Sequence, residues 1–439
     1  MDKDKNIIQK LFDTAHQSAD PTRLIQNEFP SLSERIKRVN KVFLLGAGKA
    51  ALEMTQAVYE EMGDKIFMGA IACVPSRLNS LPHQVSRNLP FEVYPANHPL
   101  PDQRNLLAAN KISTAAEQAD SNDLVLLLLS GGGSAHLCLP VSGLSLPVYQ
   151  SLIENLLKAG APIQEINIVR KHLEQLKGGG LLRKISPARV HTCILSDVIG
   201  DPLNVIASGP TAADPTTFEQ SWQILKKYGI RVPAAAEKYI QRGRNGLVPE
   251  TIKEGNPLLK LASYQIIGNN YLATQAVRAI LHKWGYLIAH YETDVAGEAR
   301  EVGRRLGRLA GQLAKKTKRA TAIIMGGETT VTVQGEGQGG RNQELVLAAA
   351  IEIQGLDDIL IASFATDGMD GPTPAAGSYA TGYSCQRAHI HGMDPLFYLE
   401  NNDSWNFFRK LGSLLNTGPT GTNVNDISIA LINPVNVQS

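Results

Sequence analysis

A run of six aliphatic residues, Leu124–Leu129, ends abruptly at Ser130, which three glycines and Ser134 follow. An uninterrupted aliphatic run of this length is typical of a central strand that is buried on both faces of a parallel sheet. Sheets of this kind bind ligands at the carboxyl ends of their strands. The pattern therefore predicts a buried strand that leads into a ligand-facing loop over residues 130–134.

Short apolar runs alternate with segments of helical spacing along the rest of the chain. This alternation indicates an α/β fold with right-handed parallel crossovers. The spacing of Thr329, Val331 and Val333 predicts an additional antiparallel strand, and helical spacing predicts one helix over residues 396–415. A helical stretch at residues 5–39 is expected to cover the segment that follows it. The remaining predicted strands lie at residues 42–45, 67–74, 91–94, 191–195, 264–267, 286–289, 322–325, 359–364 and 427–431.

The chain is long enough for more than one domain, because 439 residues exceed what a single hydrophobic core usually serves. A polar helical stretch at residues 215–260 contains glycine-bearing loop signals, and we place the domain junction within it. We therefore predict an N-terminal domain over residues 1–245 with a Rossmann-like three-layer parallel sheet. A C-terminal α/β domain with a mixed sheet is predicted over residues 246–439.

Composition and charge exclude several classes of protein. A hydrophobic content of 43% and a charged content of 19% are those of an ordinary globular protein, and the formal net charge of +2 gives no basic excess for nucleic acid or a membrane surface. The four cysteines are widely spaced, which predicts buried thiols in a reducing compartment. The first ten residues lack the apolar core of a signal peptide, and no aliphatic run approaches the roughly 18–20 residues of a membrane-spanning helix. We expect a cytoplasmic protein.

Two glycine-containing loops follow predicted strands in the first half. The sequence GAGKAA satisfies only the loose dinucleotide pattern, because the second predicted strand is followed by Pro75 and Ser76 and not by an acidic residue. Lys49 of this loop stands at a helix start, where a cation is unfavourable unless an anion lies nearby or the side chain is simply solvated. The glycines of SGGGS either cradle phosphate oxygens with their N–H groups or form a plain turn.

Acidic residues and one arginine also occur at predicted strand ends. Asp197 and Asp201 in SDVIGDP could bind Mg²⁺, accept a hydroxyl proton or cap a helix. Arg341 in GGRNQE has the planar donor geometry that matches phosphate or carboxylate oxygens. Further candidates are Gly326, Gly327 and Glu328 after one strand, and Asp367 and Asp370 after another.

Other catalytic chemistries find little support. His98 and His136 could act as acid or base, although a structural loop histidine and a histidine at a helix start are the simpler interpretations. The sequence has no Gly-x-Ser-x-Gly motif and no Cys or His cluster, so we expect neither a hydrolytic triad nor zinc chemistry.

Eight segments together resemble the two-domain glycerate kinases that carry a C-terminal MOFRL domain, and they occur in order over nearly the whole chain. The segments are GAGKAA, ANHPLPDQRN, LSGGGSAHLCLP, INIVRKHLEQLKGGGL, LSDVIGDPLNVIASGPTAAD, GGETTVTVQGEGQGGRNQE, ATDGMDGPTPAAG and NNDSWNFF. The resemblance implies transfer of the γ-phosphoryl group of ATP to D-glycerate, with 2-phosphoglycerate as the product associated with this class. Several members of the family carry an older hydroxypyruvate reductase name.

The resemblance also implies roles for individual residues. It assigns Lys49, Asp197 and Arg341 to the active site, in a cleft between the two domains. ATP, together with Mg²⁺ or another divalent cation at Asp197, is the implied cofactor set. Met369 and Pro374 replace polar residues of the family pattern and are excluded as ligands. The predicted nucleotide-binding residues are Ser130, Gly131, Gly132, Gly133, Ser134, Gly326, Gly327, Glu328 and Asp367.

Two other functions stay open at this point. The GAGKAA loop permits an NAD(P)H-dependent hydroxypyruvate reductase, and the glycine loops permit a non-catalytic sugar-phosphate or nucleotide-binding regulator. The choice between the 2- and 3-hydroxyl, the nucleotide and metal preference, and the choice of monomer or homodimer are also open. Arg341 is expected to hold either the glycerate carboxylate or the γ-phosphate. The expected partners are glycerate and nucleotide, with no nucleic acid and no membrane.

Overall fold

A computed structural model describes residues 2–78 and 89–433. The chain forms two compact units, which we call unit A and unit B. Unit A consists of the described residues within 21–196 and 201–267. Unit B consists of the described residues within 1–20, 197–200 and 268–439.

The helices are α1 (Asp2–Ser18), α2 (Pro21–Ile36), α3 (Ala51–Met62), α4 (Pro75–Leu78), α5 (Gln103–Ala116), α6 (Gly133–His136), α7 (Leu146–Lys158), α8 (Ile163–Leu173), α9 (Gly180–Ile185), α10 (Phe218–Lys227), α11 (Ala234–Arg244), α12 (Asn270–Lys283), α13 (Ala299–Lys316), α14 (Arg341–Glu352), α15 (Ser384–Ile390), α16 (Pro395–Glu400) and α17 (Ser404–Leu411). The strands are β1 (Val42–Ala47), β2 (Ile66–Cys73), β3 (Phe91–Pro95), β4 (Leu124–Leu129), β5 (Arg189–Leu195), β6 (Ala262–Gly268), β7 (Leu287–Glu298), β8 (Thr321–Thr330), β9 (Ile359–Ala365), β10 (Gly377–Thr381), β11 (Leu414–Leu415) and β12 (Asp426–Ile432).

Unit A is built on a parallel six-stranded sheet in the order β3-β2-β1-β4-β5-β6, with helices on both sides. The predicted central strand β4 lies between β1 and β5, and all six of its residues are buried. The strand order reverses between β1 and β4, which is the position where open α/β sheets bind ligands. In the register of this pair Ala47 lies opposite Leu129, so the loops that follow the two strands leave the sheet side by side.

Unit B is built on a mixed sheet in the order β11-β10-β9-β12-β8-β7. Strand β12, the last of the chain, inserts antiparallel between β8 and β9, whereas β7 and β8 are parallel. Two glycines of α13, Gly303 and Gly307, allow this helix to approach α14 closely. A Cβ at either position would collide with the α14 backbone or with Glu352. These pairings confirm the predicted α/β class with one parallel and one mixed sheet.

The boundaries of the two compact units differ from the domain boundary that the sequence predicts between residues 245 and 246. Strand β6, which follows that boundary, lies next to β5 in the sheet of unit A. Helix α1 belongs to unit B, where it packs against α12 and β9, and the ring of Phe12 lies 5.4 Å from that of Phe364. The stretch at residues 5–39 therefore does not act as one cover, since α1 and α2 bury their apolar faces in different units.

Two predicted elements of the second half are wrong. The helix predicted over residues 396–415 is broken between α16 and α17, where Asn402 has a φ of +52° and its side-chain oxygen accepts the amides of Gln334 and Gly335. The separate antiparallel strand predicted around Thr329 and Val333 does not form. Strand β8 continues to Thr330. The amides of Thr332 and Gln334 then donate to the side chains of Glu298 and Asn402, and not to the backbone of a neighbouring strand.

Two compositional expectations can be compared with the described part of the chain. The four cysteines are buried free thiols, as predicted. Within residues 2–78 and 89–433, no helix combines the length and the apolar character that crossing a bilayer requires.

Candidate functional site

In unit A, the two loops at the reversal point of the sheet are hydrogen-bonded to each other. The amide of Lys49 donates to the carbonyl of Gly131 over 2.9 Å, and the amide of Ala50 donates to Ser130 Oγ over 3.0 Å. The Ser130 hydroxyl thus accepts a hydrogen bond from the backbone just before helix α3. Lys49 and the SGGGS loop, which the sequence predicts separately as site elements, therefore lie together at the carboxyl edge of the sheet.

Two glycines permit this close approach. Gly48 has a φ of +138°, and a Cβ on it would collide with the Ser130 side chain and carbonyl. Gly132 has a φ of +84°, and a Cβ there would lie 3.1 Å from Cδ2 of His98 and 3.5 Å from Cγ of Lys49. Left-handed backbone and lack of space both favour glycine at these two positions. Gly132, His98 and Lys49 consequently surround the same small region.

The side chains in this region carry positive charge or stay neutral. Lys49 is half-buried, and no hydrogen bond or ion pair of its ammonium group is found among the described residues. Partial burial of the ring, together with the positive charges of Lys49 and Arg170, lowers the pKa of His98 to about 4. The His136 ring is buried, with Nδ1 at 3.1 Å from the amide nitrogen of Gly48 and 3.2 Å from the carbonyl oxygen of Ala72. We interpret His136 as structural.

The hydroxyl groups near this loop are used inside unit A. Ser134 Oγ lies 2.7 Å from Oγ of Ser208, which is buried. Ala207 and Ser208 both have left-handed backbone angles, with φ of +48° and +62°. Strain of this kind is retained where surrounding structure enforces it, often near functional sites. The segment from Ser208 to Thr211 therefore supports the glycine loop. Within it, Thr211 Oγ1 lies 3.3 Å from Oγ1 of Thr192.

In unit B, Arg341 begins helix α14 and is held by two carboxylates. Its Nε and Nη2 lie 2.5 and 3.0 Å from the two carboxylate oxygens of Asp426, and its Nη1 lies 3.0 Å from Glu328 Oε1. The Asp426 contact is a bidentate fork, the strongest arrangement for an arginine and a carboxylate. Sheet register explains the meeting, since Asp426 pairs with Gly327 of β8 and with Ala365 of β9.

Asp426 was not predicted from the sequence. The sequence argument applies to acids at the carboxyl ends of strands, whereas Asp426 is at the amino end, as the first residue of β12. Because β12 runs antiparallel to β8, its beginning lies at the same sheet edge as the end of β8. Asn270 was also missed: its Nδ2 donates to the carbonyls of Val424 and Asp426 over 2.8 and 2.9 Å, which fixes the start of this strand.

Asp370 has a structural role in unit B. Its buried carboxylate accepts the backbone amides of Asn342 and Gln343 over 3.0 and 2.8 Å, as well as both of their side-chain amides. Burial raises its pKa to about 6, and the amide donors oppose that effect. It therefore satisfies the first turn of α14 and holds Arg341 in place beside it.

Three predicted acids share one electrostatic environment. Burial raises the pKa of Glu328; Arg341 opposes this effect, and the negative charges of Asp426, Asp197 and Asp367 reinforce it. Asp367 also accepts the amide of its own turn, from residue 369, over 3.0 Å. Among residues 2–78 and 89–433, no group of three His, Cys, Asp or Glu side chains is positioned to hold a metal. Mg²⁺ in kinases is usually held by one or two carboxylates and by substrate phosphates.

The two predicted glycines of β8 are explained by packing. A Cβ on Gly326 would collide with Asn270, and a Cβ on Gly327 would collide with the backbone of Val295 in β7. Their binding of a nucleotide stays a prediction.

Comparison with known proteins identifies the family. Residues 7–241 match the family described as Domain of unknown function (DUF4147), and residues 321–426 match the MOFRL family. The chain is 39% identical to a D-glycerate 2-kinase of Thermotoga maritima, over 98% of each chain. The chain belongs to the glycerate kinase family. The crystal structure of a Thermotoga maritima glycerate kinase, also 39% identical, superimposes with a TM-score of 0.88 and covers 98% of this chain and 99% of that one.

Other relatives in the glycerate kinase family carry two kinds of name. A glycerate 2-kinase of Pyrococcus horikoshii is 36% identical over 98% of this chain and 97% of its own. A protein of Agrobacterium vitis, 36% identical over 98% and 94%, is named "Putative hydroxypyruvate reductase". The resemblance found in the sequence motifs is confirmed, and both names inferred from it occur among the relatives.

Proposed function

We propose that this protein transfers the γ-phosphoryl group of ATP to D-glycerate and forms 2-phosphoglycerate and ADP. The observation that carries the proposal is the direct hydrogen bond between the Lys49 loop and the SGGGS loop at the reversal point of a parallel sheet. Such a place offers converging backbone N–H groups and a cation to anionic oxygens. Relatives that match over nearly the whole chain and are named glycerate kinases support the same conclusion.

Unit A would bind and neutralise phosphates. Phosphoryl transfer requires alignment and charge neutralisation more than covalent chemistry by the protein. Within residues 130–134 the amides of Ser130 and Gly133 donate to carbonyl oxygens of the protein, so those of Gly131, Gly132 and Ser134 would hold phosphate oxygens. The Lys49 ammonium would stabilise the charge that develops on the transferred group. Within the described residues this ammonium has no acidic partner, so its charge is available to a bound anion.

Unit B would act on glycerate. Asp197 would orient the attacking hydroxyl or accept its proton. Arg341 keeps its orientation through Asp426 and Glu328, and its contacts with these two carboxylates use one of the five N–H donors on each nitrogen, three in all. The remaining donors would hold either the glycerate carboxylate or the γ-phosphate. The first role predicts that Arg341→Lys mainly raises the KM for glycerate, and the second predicts that it mainly lowers kcat.

A divalent cation such as Mg²⁺ fits the charge balance near Asp197. The negative charges of Asp426, Asp197 and Asp367 contribute to the raised pKa of Glu328, and that of Asp367 contributes to the raised pKa of Asp426. Four carboxylates thus act on one another near the Arg341 guanidinium, which gives this part of unit B surplus negative charge. We propose that Asp197 contributes to holding the cation. When bound, the cation would neutralise phosphate charge during transfer.

The activity assay separates the proposed kinase from the reductase. The protein is mixed with D-glycerate, ATP and Mg²⁺, and ADP formation is followed with a coupled enzyme. In a second reaction it is mixed with hydroxypyruvate and NADPH, and absorbance at the NADPH band is followed. We expect ADP in the first reaction and no oxidation of NADPH in the second. Reductase turnover without ADP formation would overturn the proposal.

The hydroxyl that reacts is identified from the product. Added enolase consumes 2-phosphoglycerate directly, whereas 3-phosphoglycerate requires a mutase first. We expect a signal with enolase alone. A signal that depends on added mutase would assign the 3-hydroxyl instead. The buried free thiols of the four cysteines further support a reducing compartment, and we propose the cytoplasm.

A further inference from the structure

A buried charged network supports the glycine loop of unit A from the side of helix α8. Glu174, which follows α8, has a fully buried side chain, and so does Lys177. The ammonium of Lys177 lies 2.7 Å from Glu174 Oε2, Arg170 Nε lies 3.6 Å from Glu174 Oε1, and the hydroxyl of Tyr149 donates to Glu174. These residues come from the INIVRKHLEQLKGGG segment and from α7.

Both cations of this network bind the end of the glycine loop. Lys177 Nζ donates to the carbonyl oxygen of Ser134 over 2.7 Å, and Arg170 Nη2 donates to the same oxygen over 3.1 Å. A carbonyl carries only a partial charge. Among the described residues, Glu174 is the one carboxylate that pairs with these two cations. A buried cation without a balancing anion is costly. The network is therefore arranged for an additional anion.

Arg170 is the member of the network that can reach such an anion. Its side chain is 13% exposed, whereas those of Glu174 and Lys177 are fully buried. Nε donates to Tyr149 over 3.2 Å, Nη1 to Asn167 over 3.4 Å and Nη2 to Ser134. A guanidinium has five N–H donors, so two have no acceptor among these contacts.

Arg170 lies close to the region that Lys49 occupies. The charges of Lys49 and Arg170 both act on the His98 ring, and a Cβ on Gly132 would contact that ring and Lys49. Two cations and the glycine loop thus surround one region of unit A.

We propose that Arg170 is a phosphate-binding residue, which acts with Lys49 on the phosphate oxygens of the nucleotide and is held in place by Glu174 and Tyr149. The inference rests on the proposed kinase function, since it names a residue of the same site. Arginine suits this role because its planar fork matches phosphate oxygens. Glu174 and Lys177 act as positioning residues, because neither has an exposed side-chain surface.

The test measures nucleotide binding without turnover. Wild type, Arg170→Gln and Arg170→Lys are titrated with ATP and, separately, with adenosine, which has no phosphate. Arg242→Gln is the matched control, because Arg242 is an exposed arginine of the same unit. We expect Arg170→Gln to weaken ATP binding on the order of 10- to 100-fold with adenosine binding unchanged, and Arg170→Lys to weaken ATP binding less. The control should stay within about twofold of wild type.

Two results would overturn the role of Arg170. ATP binding that is unchanged in Arg170→Gln excludes a phosphate contact, and an equal loss for ATP and adenosine shows that Arg170 only stabilises the loop. If Arg170→Gln does not fold in a thermal melt, the same criteria apply to Arg170→Lys, which keeps the charge. Failure of the kinase proposal looks different: wild type then binds ATP but forms no ADP with glycerate.

Discussion

The ion pair of Arg341 and Asp426 provides a quantitative test of how unit B is built. Replacing Arg341 with Gln leaves the carboxylate of Asp426, whose side chain is 7% exposed, without its bidentate partner. Removing one member of a buried pair costs about 3–5 kcal/mol. The Arg341 side chain is 29% exposed, which favours the lower end of that range, and the contact with the more exposed Glu328 adds about 0–1 kcal/mol. We expect Arg341→Gln to lower the free energy of unfolding by about 3 kcal/mol.

The double variant separates loss of the pair from loss of packing. Asp426→Asn removes the charge that Arg341→Gln leaves unpaired, so the double variant should be more stable than Arg341→Gln alone. The coupling free energy from the cycle should be about 2 kcal/mol or more, because the two residues are in direct contact. Unfolding in guanidinium chloride, followed by tryptophan fluorescence, supplies the four values. A coupling below about 0.5 kcal/mol would refute the assignment of the fork as the main support of Arg341.

The pH dependence of Arg341→Gln provides a second check on the same pair. Burial raises the pKa of Asp426 in the folded protein, and Arg341 opposes that effect. Without Arg341 the pKa should rise further, and the folded state then binds the proton more tightly than the unfolded state does. A raised folded pKa means that stability falls as pH rises through it. The destabilisation by Arg341→Gln should therefore be larger at pH 8 than at pH 5, and the opposite trend would contradict the assignment.

Two further predictions concern residues with structural roles near the site. Because the folded pKa of Asp370 is about 6 and its unfolded pKa is near 4, its contribution to stability should fall by about 2 kcal/mol between pH 4 and pH 7. The stability difference between wild type and Asp370→Asn, from denaturant curves at four pH values, should show this slope, and a flat or rising difference would exclude it. Gly48→Ala should lower kcat/KM at least about tenfold and cost about 2–3 kcal/mol, because the new methyl collides with Ser130. Gly160→Ala is its control, since Gly160 also has a positive φ but open space around it, and equal losses in the two variants would show that only backbone strain matters.

The parallel sheet could be predicted from the sequence because its central strands are buried on both faces. Such strands appear as unbroken aliphatic runs, and their ends are marked by glycine. Two glycine loops are predicted after strands of this sheet, and the structure places both at one sheet edge, where the amides of Lys49 and Ala50 donate to Gly131 and Ser130. Local pattern was sufficient here because neighbouring parallel strands end on the same side.

The errors occur where a distant contact decides the local structure. Helical spacing continues across Asn402, but its side chain caps the amides of a loop about 70 residues away, and this contact breaks the helix. Asp426 meets Arg341 only because β12 inserts antiparallel between two other strands. The sequence predicts no role for Arg170 or Glu174, because only tertiary packing brings Arg170 to Ser134. Spacing in the sequence contains no information on such pairings.

We propose that Lys49 of unit A and Arg341 of unit B serve the same phosphoryl transfer. The most direct test is the rate of ADP formation by Lys49→Ala and by Arg341→Ala, at saturating ATP and D-glycerate, with denaturant curves that show both variants folded. If both side chains neutralise charge in the transition state, each variant should lose on the order of 10² to 10⁵ in kcat. A folded variant of either residue that keeps more than about a tenth of the wild-type rate would contradict the claim.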